Sequence, residues 1–312
     1  MIENMSKEFQ RKLEMLSYIR RRDVLEDLAQ KYNLPKSGDI EELRKRLAET
    51  VPLEKIEEIY EKFEDAGNVT IHLFRFNRDH IINLKDDNKL LELLKDSGLE
   101  DVFRKKKDVK LTSESQIVFI DTINGKIKIK LEARGETITK RDAETRKIIS
   151  FSPLISSVAF IHTDSGLVEV RVRNRRYAKR ICDKLAEIFN NREDYQQIDF
   201  NEEELEEIIT WTTTLRNATI KPLSGTISSL RITAAQGSDL RNEEKYREIE
   251  KIIGDSIRTG VYVQYEHTFF DNKKLRVGFQ INSQQGKIFF KSYVNEEVID
   301  YVLSKIKEIK GL

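Results

Sequence analysis

The chain has 312 residues, of which 38% are hydrophobic and 35% charged, and its 55 basic and 54 acidic side chains leave a net charge of +1. This length predicts two or three domains, and this charge balance excludes both a polybasic tail protein and a strongly acidic disordered chain. The single cysteine, Cys182, excludes a disulfide framework and favours a reducing, intracellular location.

Two features argue against export and membrane insertion. The first 25 residues alternate charged and apolar side chains, without the unbroken apolar core of a signal peptide. The longest uncharged stretch, residues 148–163, contains Pro153 and several hydroxyl side chains, and is too short and too polar to span a bilayer. We therefore expect an intracellular protein, cytoplasmic or chromosome-associated, without a membrane partner.

The N-terminal segment has the periodicity of helices. Apolar side chains recur every three or four positions in residues 9–19 and 25–32. Leu34-Pro35 ends the second helix, because the residue before a proline is pushed out of the helical basin. Asp39 is placed to cap a third helix, and a fourth amphipathic stretch follows. These patterns predict a helical domain over residues 1–66.

Part of this domain carries a recognisable pattern. Leucines three apart are followed by Asn33-Leu34-Pro35, by Ser37-Gly38, and by Glu42-Leu43 leading to Arg46-Leu47. About 30 residues in this order, roughly 20–50, resemble the SAP domain, two short helices joined by an extended loop. The resemblance implies binding of duplex DNA without strong sequence preference, although Asp39-Ile40 stands where the family usually has two lysines. Related helix-extended-helix modules bind proteins instead.

The remaining chain predicts α+β structure. Strands are expected from Val69 and at 116–121, 126–134, 146–151, 155–162 and 167–173, with helices at 88–94 and 177–189. After a connecting helix at 201–215, capped by Asn201 and Glu204, strands are expected at 226–233, 260–267, 274–281 and 287–293, with helices at 242–253 and 296–309. Asn124-Gly125 predicts a tight turn.

The final third repeats the plan of the middle third. Residues 166–189 and 286–309, which lie 120 residues apart, each show a glycine, a strand and a helix, and this suggests an internal duplication. We predict two β-α-β(3+)-α units, residues 67–200 and 201–312, forming antiparallel sheets covered by helices. The element order loosely resembles TATA-box-binding-protein-like domains and the helix-grip fold. No motif residues accompany that resemblance, so it implies no site.

The net charge conceals an uneven distribution. Residues 1–66 carry 13 basic and 16 acidic side chains, residues 67–190 carry 25 and 18, and residues 191–312 carry 17 and 20, so the net charges are −3, +7 and −3. The basic excess is dominated by a first run, Arg104, Lys105, Lys106 and Lys107, followed by Lys110, and by a second run, Arg171, Arg173, Arg175, Arg176, Lys179 and Arg180. On a strand, Arg171, Arg173 and Arg175 would project from one face. Such a surface attracts phosphate backbones. The alternative interpretations of the second run are that it forms a solvated rim or that it binds an acidic protein partner.

Catalytic and metal-binding motifs are not evident. The four histidines lie far apart, and we interpret His72 and His162 as hydrogen-bonded structural imidazoles. Cys182 falls on an apolar helix face and is expected to be packed. Separated carboxylates, Asp121, Glu132, Glu136 and Asp142, leave open a cryptic Mg²⁺-dependent nuclease.

These observations favour a non-enzymatic nucleic-acid-binding protein with no cofactor or metal, and with DNA preferred over RNA. The expected contact residues are Arg20, Arg21, Arg22, Lys36, Gly38, Arg44 and Lys45 in the N-terminal domain, together with both basic runs. The first alternative is a protein-interaction scaffold, and the second is the nuclease. The oligomeric state is left open by the sequence.

Overall fold

The protein is described by a computed structural model that covers residues 7–141, 148–269 and 273–312. These residues combine helices with a large antiparallel sheet, which confirms the predicted α+β class. They divide into two compact units. The smaller unit contains the described parts of Met1–Val69, His267–Gly278 and Phe290–Ile306; the larger contains those of Thr70–Glu266, Phe279–Phe289 and Lys307–Leu312.

The helices and strands have the following bounds. The helices are α1 (Lys7–Tyr18), α2 (Arg22–Lys31), α3 (Ile40–Thr50), α4 (Leu53–Phe63), α5 (Arg78–Ile81), α6 (Asp87–Asp96), α7 (Arg175–Ile188), α8 (Glu202–Trp211), α9 (Glu244–Ile253) and α10 (Glu296–Lys310). The strands are β1 (Thr70–Arg75), β2 (Gln116–Ile123), β3 (Lys126–Arg134), β4 (Ile138–Arg141), β5 (Ile148–Phe151), β6 (Leu154–His162), β7 (Leu167–Arg171), β8 (Gln196–Gln197), β9 (Thr214–Pro222), β10 (Leu230–Thr233), β11 (Ser256–Phe269), β12 (Lys273–Asn282) and β13 (Lys287–Phe290).

Helices α1 to α4 bury the apolar positions that their periodicity predicts. Leu16, Leu25, Leu43 and Leu47 have no exposed surface and belong to one core cluster. The carboxylate of Asp39 accepts the backbone N–H of Glu42 at 2.8 Å, so the predicted cap of α3 is confirmed. Each such cap stabilises a helix by about 1 kcal/mol.

The smaller unit also contains a segment from the end of the chain, which the sequence did not predict. The ring of Tyr293 stacks on Phe63 of α4, with 5.8 Å between the ring centroids. Gly67 and Val294 form an isolated antiparallel bridge beside this contact. The core of α1 to α4 therefore includes a side chain that is very distant in sequence.

Strand β1 lies in the middle of the sheet. The strand order is β10-β9-β11-β12-β13-β1-β7-β6-β3-β2, β8 also pairs with β1, and β4 and β5 form a separate pair. Along one edge Ile71 is opposite Ile288 of β13, and along the other it is opposite Arg171 of β7. Strands of the two predicted units therefore join one sheet, and the prediction of separate sheets is not confirmed.

Helix α7 covers one face of this sheet. Val168 and Val170, two positions apart on β7, project into the same core cluster as Ile181 and Leu185 of α7. Cys182 lies in that cluster without exposed surface, and burial raises the pKa of its thiol, so the prediction that it is packed is confirmed. This core fixes where α7 begins relative to the sheet.

The errors of the sequence prediction include misplaced element ends and the strand β9, which was not predicted. The capping box of Asn201 and Glu204 is present, but α8 stops at Trp211, and the predicted end of that helix belongs to β9. Strand β7 ends at Arg171, two residues earlier than predicted. The first two residues of the strand predicted at 146–151 lie outside the described residues. The turn at Asn124-Gly125 is confirmed, because both residues have positive φ, as a type I′ turn requires.

Two glycines allow the backbone to approach β1 closely. Gly166 precedes β7 and Gly286 precedes β13, and both have φ in the left-handed region, +71° and +51°. A Cβ atom at Gly286 would overlap the carbonyl oxygen of Ile198, and one at Gly166 would lie 2.5 Å from that of Phe76. Both positions therefore require glycine.

Replacing Gly286 by alanine should lower the free energy of unfolding by about 2–5 kcal/mol, because left-handed strain adds to overlap with a backbone oxygen. Gly98→Ala is the matched control, since Gly98 also has positive φ (+67°) but no atom lies within 4 Å of the point that its Cβ would occupy. Gly98→Ala should lower the free energy of unfolding by only about 1–2 kcal/mol. Urea unfolding of both variants measures the difference, and equal losses would show that the Ile198 contact is unimportant.

Candidate nucleic-acid interface

The second basic run spans the end of a strand, a turn and the start of a helix. Strand β7 ends at Arg171, and the side chain of Asn174 then caps α7 by accepting the backbone N–H groups of Arg176 (2.8 Å) and Tyr177 (3.2 Å). Arg175 is already the first residue of α7. The expectation that Arg171, Arg173 and Arg175 share one strand face is therefore wrong.

Arg171 is enclosed in the sheet and is not available to a ligand. Its side chain is 1% exposed, its Nη2 lies 2.8 Å from Oε2 of Glu169, and its guanidinium lies 4.3 Å from the ring centroid of Phe160. The other carboxylate oxygen of Glu169 lies 2.6 Å from Nε2 of His162, which confirms that His162 is a hydrogen-bonded structural imidazole. Arg171 must therefore be removed from the predicted contact residues.

The Glu169 carboxylate holds this buried cluster together. Burial alone raises the pKa of Glu169, but the charge of Arg171 and the hydrogen bond to His162 outweigh burial, and they hold the pKa well below its usual range. Lys126, 4.0 Å away, acts in the same direction. Glu169 stays ionised in the folded protein, so the charge of Arg171 is compensated within the sheet.

The other residues at the start of α7 surround a cavity of about 850 Å³, which we name the basic pocket. Its lining is His72, Phe74, Arg173, Asn174, Arg175, Arg176, Lys179, Tyr195, Gln197, Gln285 and Lys287. Five of these residues are cations, three carry amide side chains, and none is a carboxylate. All of them belong to the larger unit. Arg180, the last cation of the second run, is exposed and does not line the pocket.

The cations of the basic pocket are largely uncompensated. Arg175 donates to Oε1 of Gln197 at 2.8 Å, a contact with a neutral group. Within the residues that the structure describes, Arg173, Arg176, Lys179 and Lys287 form no ion pair with a carboxylate. Arg173, Arg176 and Lys179 are exposed, whereas Lys287 is half-buried. The pocket is therefore a concentration of positive charge that attracts anions.

His72 forms part of the pocket wall on β1. It is 1% exposed and stands opposite Lys287 of β13. Neither ring nitrogen meets hydrogen-bond geometry with a described residue, although the backbone of Arg173 and Val172 lies close enough to favour the protonated ring. Burial, followed by the charge of Lys287, nevertheless lowers the pKa of His72 to about 4. The ring of His72 is buried, as expected of a structural imidazole. The hydrogen bonds that were predicted for it are not present among the described residues.

The first basic run contributes little free charge. Arg104 pairs with Asp87 and with Asp121, the latter at 3.0 Å. Lys106 pairs with Glu132 at 2.8 Å, and Lys107 pairs with Asp101. In the described part of the chain Lys105 is exposed and has no ion pair. None of the four cations lines the basic pocket.

The predicted contact residues of the smaller unit also divide into paired and unpaired groups. Arg21 pairs with Asp23, Arg22 pairs with Glu26, and Lys36 donates to Oε1 of Gln30 at 2.7 Å. Arg20 and Lys45 are exposed and, among the described residues, have no carboxylate partner. Gly38 has φ +97° in the loop before α3.

Arg44 is a structural residue. It is 7% exposed and donates to the backbone carbonyl oxygens of Leu16 (3.0 Å) and Ile19 (2.9 Å), and its guanidinium also pairs with Glu41. These bonds tie α3 to the connection between α1 and α2. Arg44 is therefore corrected from a predicted DNA contact to a buried hydrogen-bond donor.

Other chemistry finds no support in the described residues. Over residues 7–141, 148–269 and 273–312, no three His, Cys, Asp or Glu side chains are grouped so that they could hold a metal ion. Two of the four carboxylates considered for a nuclease, Asp121 and Glu132, pair with cations, and Asp142 lies outside the described residues. Within the same ranges, no helix has the length and apolar character needed to cross a bilayer.

Comparison with known proteins does not identify the chain. No protein-family model matches it, and no curated protein matches it. The candidate site therefore rests on the geometry and charge of the basic pocket.

Four of the five pocket cations belong to the second basic run, and the fifth was not predicted. Lys287 is a single lysine far from either run, and no local pattern marks it. His72 and Gln197 were also missed as lining residues, because strand pairing that involves β1 brings them to the pocket. Tyr195 and Gln285, which lie just before β8 and β13, were missed as well.

Replacing Arg44 by methionine should lower the free energy of unfolding by about 2–4 kcal/mol, because two buried carbonyl oxygens lose a charged donor. The neighbouring substitution Lys45→Met, at an exposed position, should change it by less than about 0.5 kcal/mol. Denaturant titration of the two variants is the measurement. A loss in Arg44→Met no larger than in Lys45→Met would contradict the structural role.

The low pKa of His72 should make stability depend on pH. Between its ordinary pKa of 6.5 and about 4, the unfolded chain binds a proton at this site and the folded protein does not. The free energy of unfolding should therefore fall as the pH decreases through this window, by up to about 3 kcal/mol from this group. His72→Gln should remove that part of the slope between about pH 6.5 and about pH 4. Parallel pH profiles of the two proteins would refute the prediction.

Proposed function

We propose that the protein is a non-enzymatic nucleic-acid-binding protein and that its basic pocket makes phosphate contacts. The observation that carries this proposal is a cavity lined by five cations and no carboxylate. Basic side chains that neutralise phosphates release counterions from the nucleic acid, and this release supplies most of the affinity of sequence-independent binding.

The local backbone favours the same kind of ligand. Helix α7 has 14 residues, and the positive end of its dipole lies at the pocket beside Asn174. The side chain of Asn174 already occupies the N–H groups of Arg176 and Tyr177, so the helix contributes mainly through its field. Contacts from Arg173, Arg176 and Lys179 fix the position of a phosphate and carry no sequence information.

The proposal assigns a second contact to the N-terminal SAP-like module. Its loop glycine, Gly38, and the exposed cations Arg20, Lys36 and Lys45 are the groups available there. The expected partner is DNA rather than RNA, as the resemblance of this module implies. Arg21 and Arg22 remain weaker candidates, because each already pairs with an acid.

An internal duplication is also part of the proposal. Gly166 and Gly286 each precede a strand that pairs antiparallel with β1, and a helix follows each strand. These arrangements support an origin from one repeated unit.

The scaffold alternative is favoured by a separate feature of the smaller unit. A groove of about 560 Å³ is lined by Val24, Leu28, Tyr32 and Ile59, together with lysines and acids. Partners that stay bound after nuclease treatment would favour the scaffold, whereas partners that dissociate would favour bridging by nucleic acid.

Two double variants test the proposed function. Arg173→Ala with Arg176→Ala should weaken binding to short DNA by at least about tenfold, because each charged phosphate contact contributes about 1.5–3 kcal/mol. A plot of log affinity against log salt has a negative slope, and its magnitude should decrease by about 0.9 for each duplex phosphate that the variant no longer neutralises.

Arg104→Ala with Lys107→Ala removes the same net charge but at side chains that already pair with acids. We expect it to change affinity by less than about threefold, because both side chains lie outside the basic pocket and are already paired with acids. Fluorescence anisotropy at several salt concentrations measures both variants. Equal losses would show that net charge, and not the basic pocket, determines binding; absence of binding by the unmodified protein at low salt would refute the function itself.

A further inference from the structure

We propose that the basic pocket binds the terminal phosphomonoester of a nucleic-acid strand, with its nucleotide, more tightly than it binds phosphodiesters within a continuous duplex. This inference rests on the proposed function and names the ligand of the same site. Three observations support it: the shape of the pocket, its uncompensated charge, and the groups that line it besides the cations.

The shape favours a strand end. A volume of about 850 Å³ lies within the range of about 300–1,000 Å³ that is usual for small-molecule sites. An internal nucleotide of a duplex can place its base in the pocket only after it is unstacked and unpaired, which costs a few kcal/mol. A nucleotide at the end of a single strand has neighbours on one side only, so it enters at a lower cost.

The charge favours a monoester. At neutral pH a phosphomonoester carries a charge of about −1.5 to −2 and three acceptor oxygens, whereas a diester carries one negative charge. Arg173, Arg176 and Lys179 approach from the start of α7, and Lys287 approaches from β13 on a different wall. Cations on two walls, without a lining carboxylate, match a compact dianion better than a linear backbone that passes over the surface.

The remaining lining supplies groups for a base. Tyr195 is half-buried, and its orientation is fixed by donation of its hydroxyl to Asp183 and by edge contacts to Phe74 and Phe76, each with 6.3 Å between ring centroids. A base stacked on such a ring gains about 1–3 kcal/mol. The side-chain amides of Gln197 and Gln285 lie in the same lining and offer donors and acceptors to base edges.

His72 is the buried polar group of this site. Its ring is 1% exposed and both nitrogen atoms lack a partner with hydrogen-bond geometry in the described residues. A neutral imidazole has one N–H donor, which a phosphate oxygen would satisfy. The groups that face His72 are Lys287 from β13, Arg175 from α7, and the backbone of Val172 and Arg173. An anion beside Lys287 would offset the positive charge that now disfavours protonation of this imidazole.

The test compares single-stranded oligonucleotides of one sequence that end in a 5′-phosphate, a 3′-phosphate or hydroxyl groups only, together with a hydroxyl-ended duplex. Fluorescence anisotropy at about 0.15 M salt, with the dye at the opposite end, measures their affinities. We expect one phosphorylated strand to bind at least about tenfold more tightly than the hydroxyl-ended strand, which corresponds to about 1.4 kcal/mol. The hydroxyl-ended duplex should bind more weakly than that phosphorylated strand.

Two matched substitutions locate the effect. Lys287→Gln should reduce the preference for the phosphorylated strand to less than about twofold, because it removes the cation of the second wall. Lys95→Gln, at an exposed residue of α6 outside the pocket, should keep the full preference. Far-UV circular dichroism checks that both variants fold, and Arg176→Gln replaces Lys287→Gln if the latter does not.

The outcomes separate this inference from the proposed function. Equal affinity for phosphorylated and hydroxyl-ended strands would overturn the terminal-phosphate inference and leave nucleic-acid binding in place. A preference that survives both Lys287→Gln and Arg176→Gln would also overturn it, because the phosphate would then bind elsewhere. Failure of every oligonucleotide to bind would overturn both proposals.

Discussion

Strand β1 is hydrogen-bonded along both of its edges, and the candidate site depends on this pairing. On one side it pairs with β7, so that His72 is opposite Val170, and on the other it pairs with β13, so that His72 is opposite Lys287. Beyond β13, the same strand pairs with β8, where Phe74 is opposite Gln197. Segments that are widely separated in the chain thereby meet around one short strand.

Gly166 and Gly286 make that pairing possible. Each has a left-handed backbone, and each lies against a carbonyl oxygen where a side chain would overlap. The hydrogen bonds of Leu73 to Gly286 (2.8 Å) and of Phe76 to Gly166 (2.8 Å) continue the contacts of β1 beyond its ladders. Close packing of the backbone around β1 therefore positions the elements that carry the pocket cations.

The two basic runs have similar composition but different surroundings. Carboxylates pair with three of the four cations of the first run, and Glu169 neutralises Arg171 at the beginning of the second. Four cations that follow Arg171 line a cavity that no carboxylate lines, namely Arg173, Arg175, Arg176 and Lys179. A linear count of charge treats these arginines and lysines alike, although the pocket cations have charge available for a ligand and the paired cations do not.

Most of the elements and several of the caps could be predicted from the amino-acid sequence. Periodicity located α1 to α4, Asp39 capped α3, and Asn124-Gly125 formed its turn, because these features depend on neighbours within a few residues. The basic character of residues 171–180 was visible for the same reason. The ends of β7 and α8 were misplaced, since tertiary pairing determines where a strand or helix stops.

Which cations are free, and which other groups join them, depends on the folded chain. Arg44 and Arg171 look like surface cations in the sequence, but carbonyl oxygens and Glu169 enclose them. Lys287 and His72 carry no local signal and become neighbours through the register of β1 and β13. The physical reason is that burial and charge compensation are set by residues distant in sequence, whereas helix periodicity, capping and turn formation are set by adjacent ones.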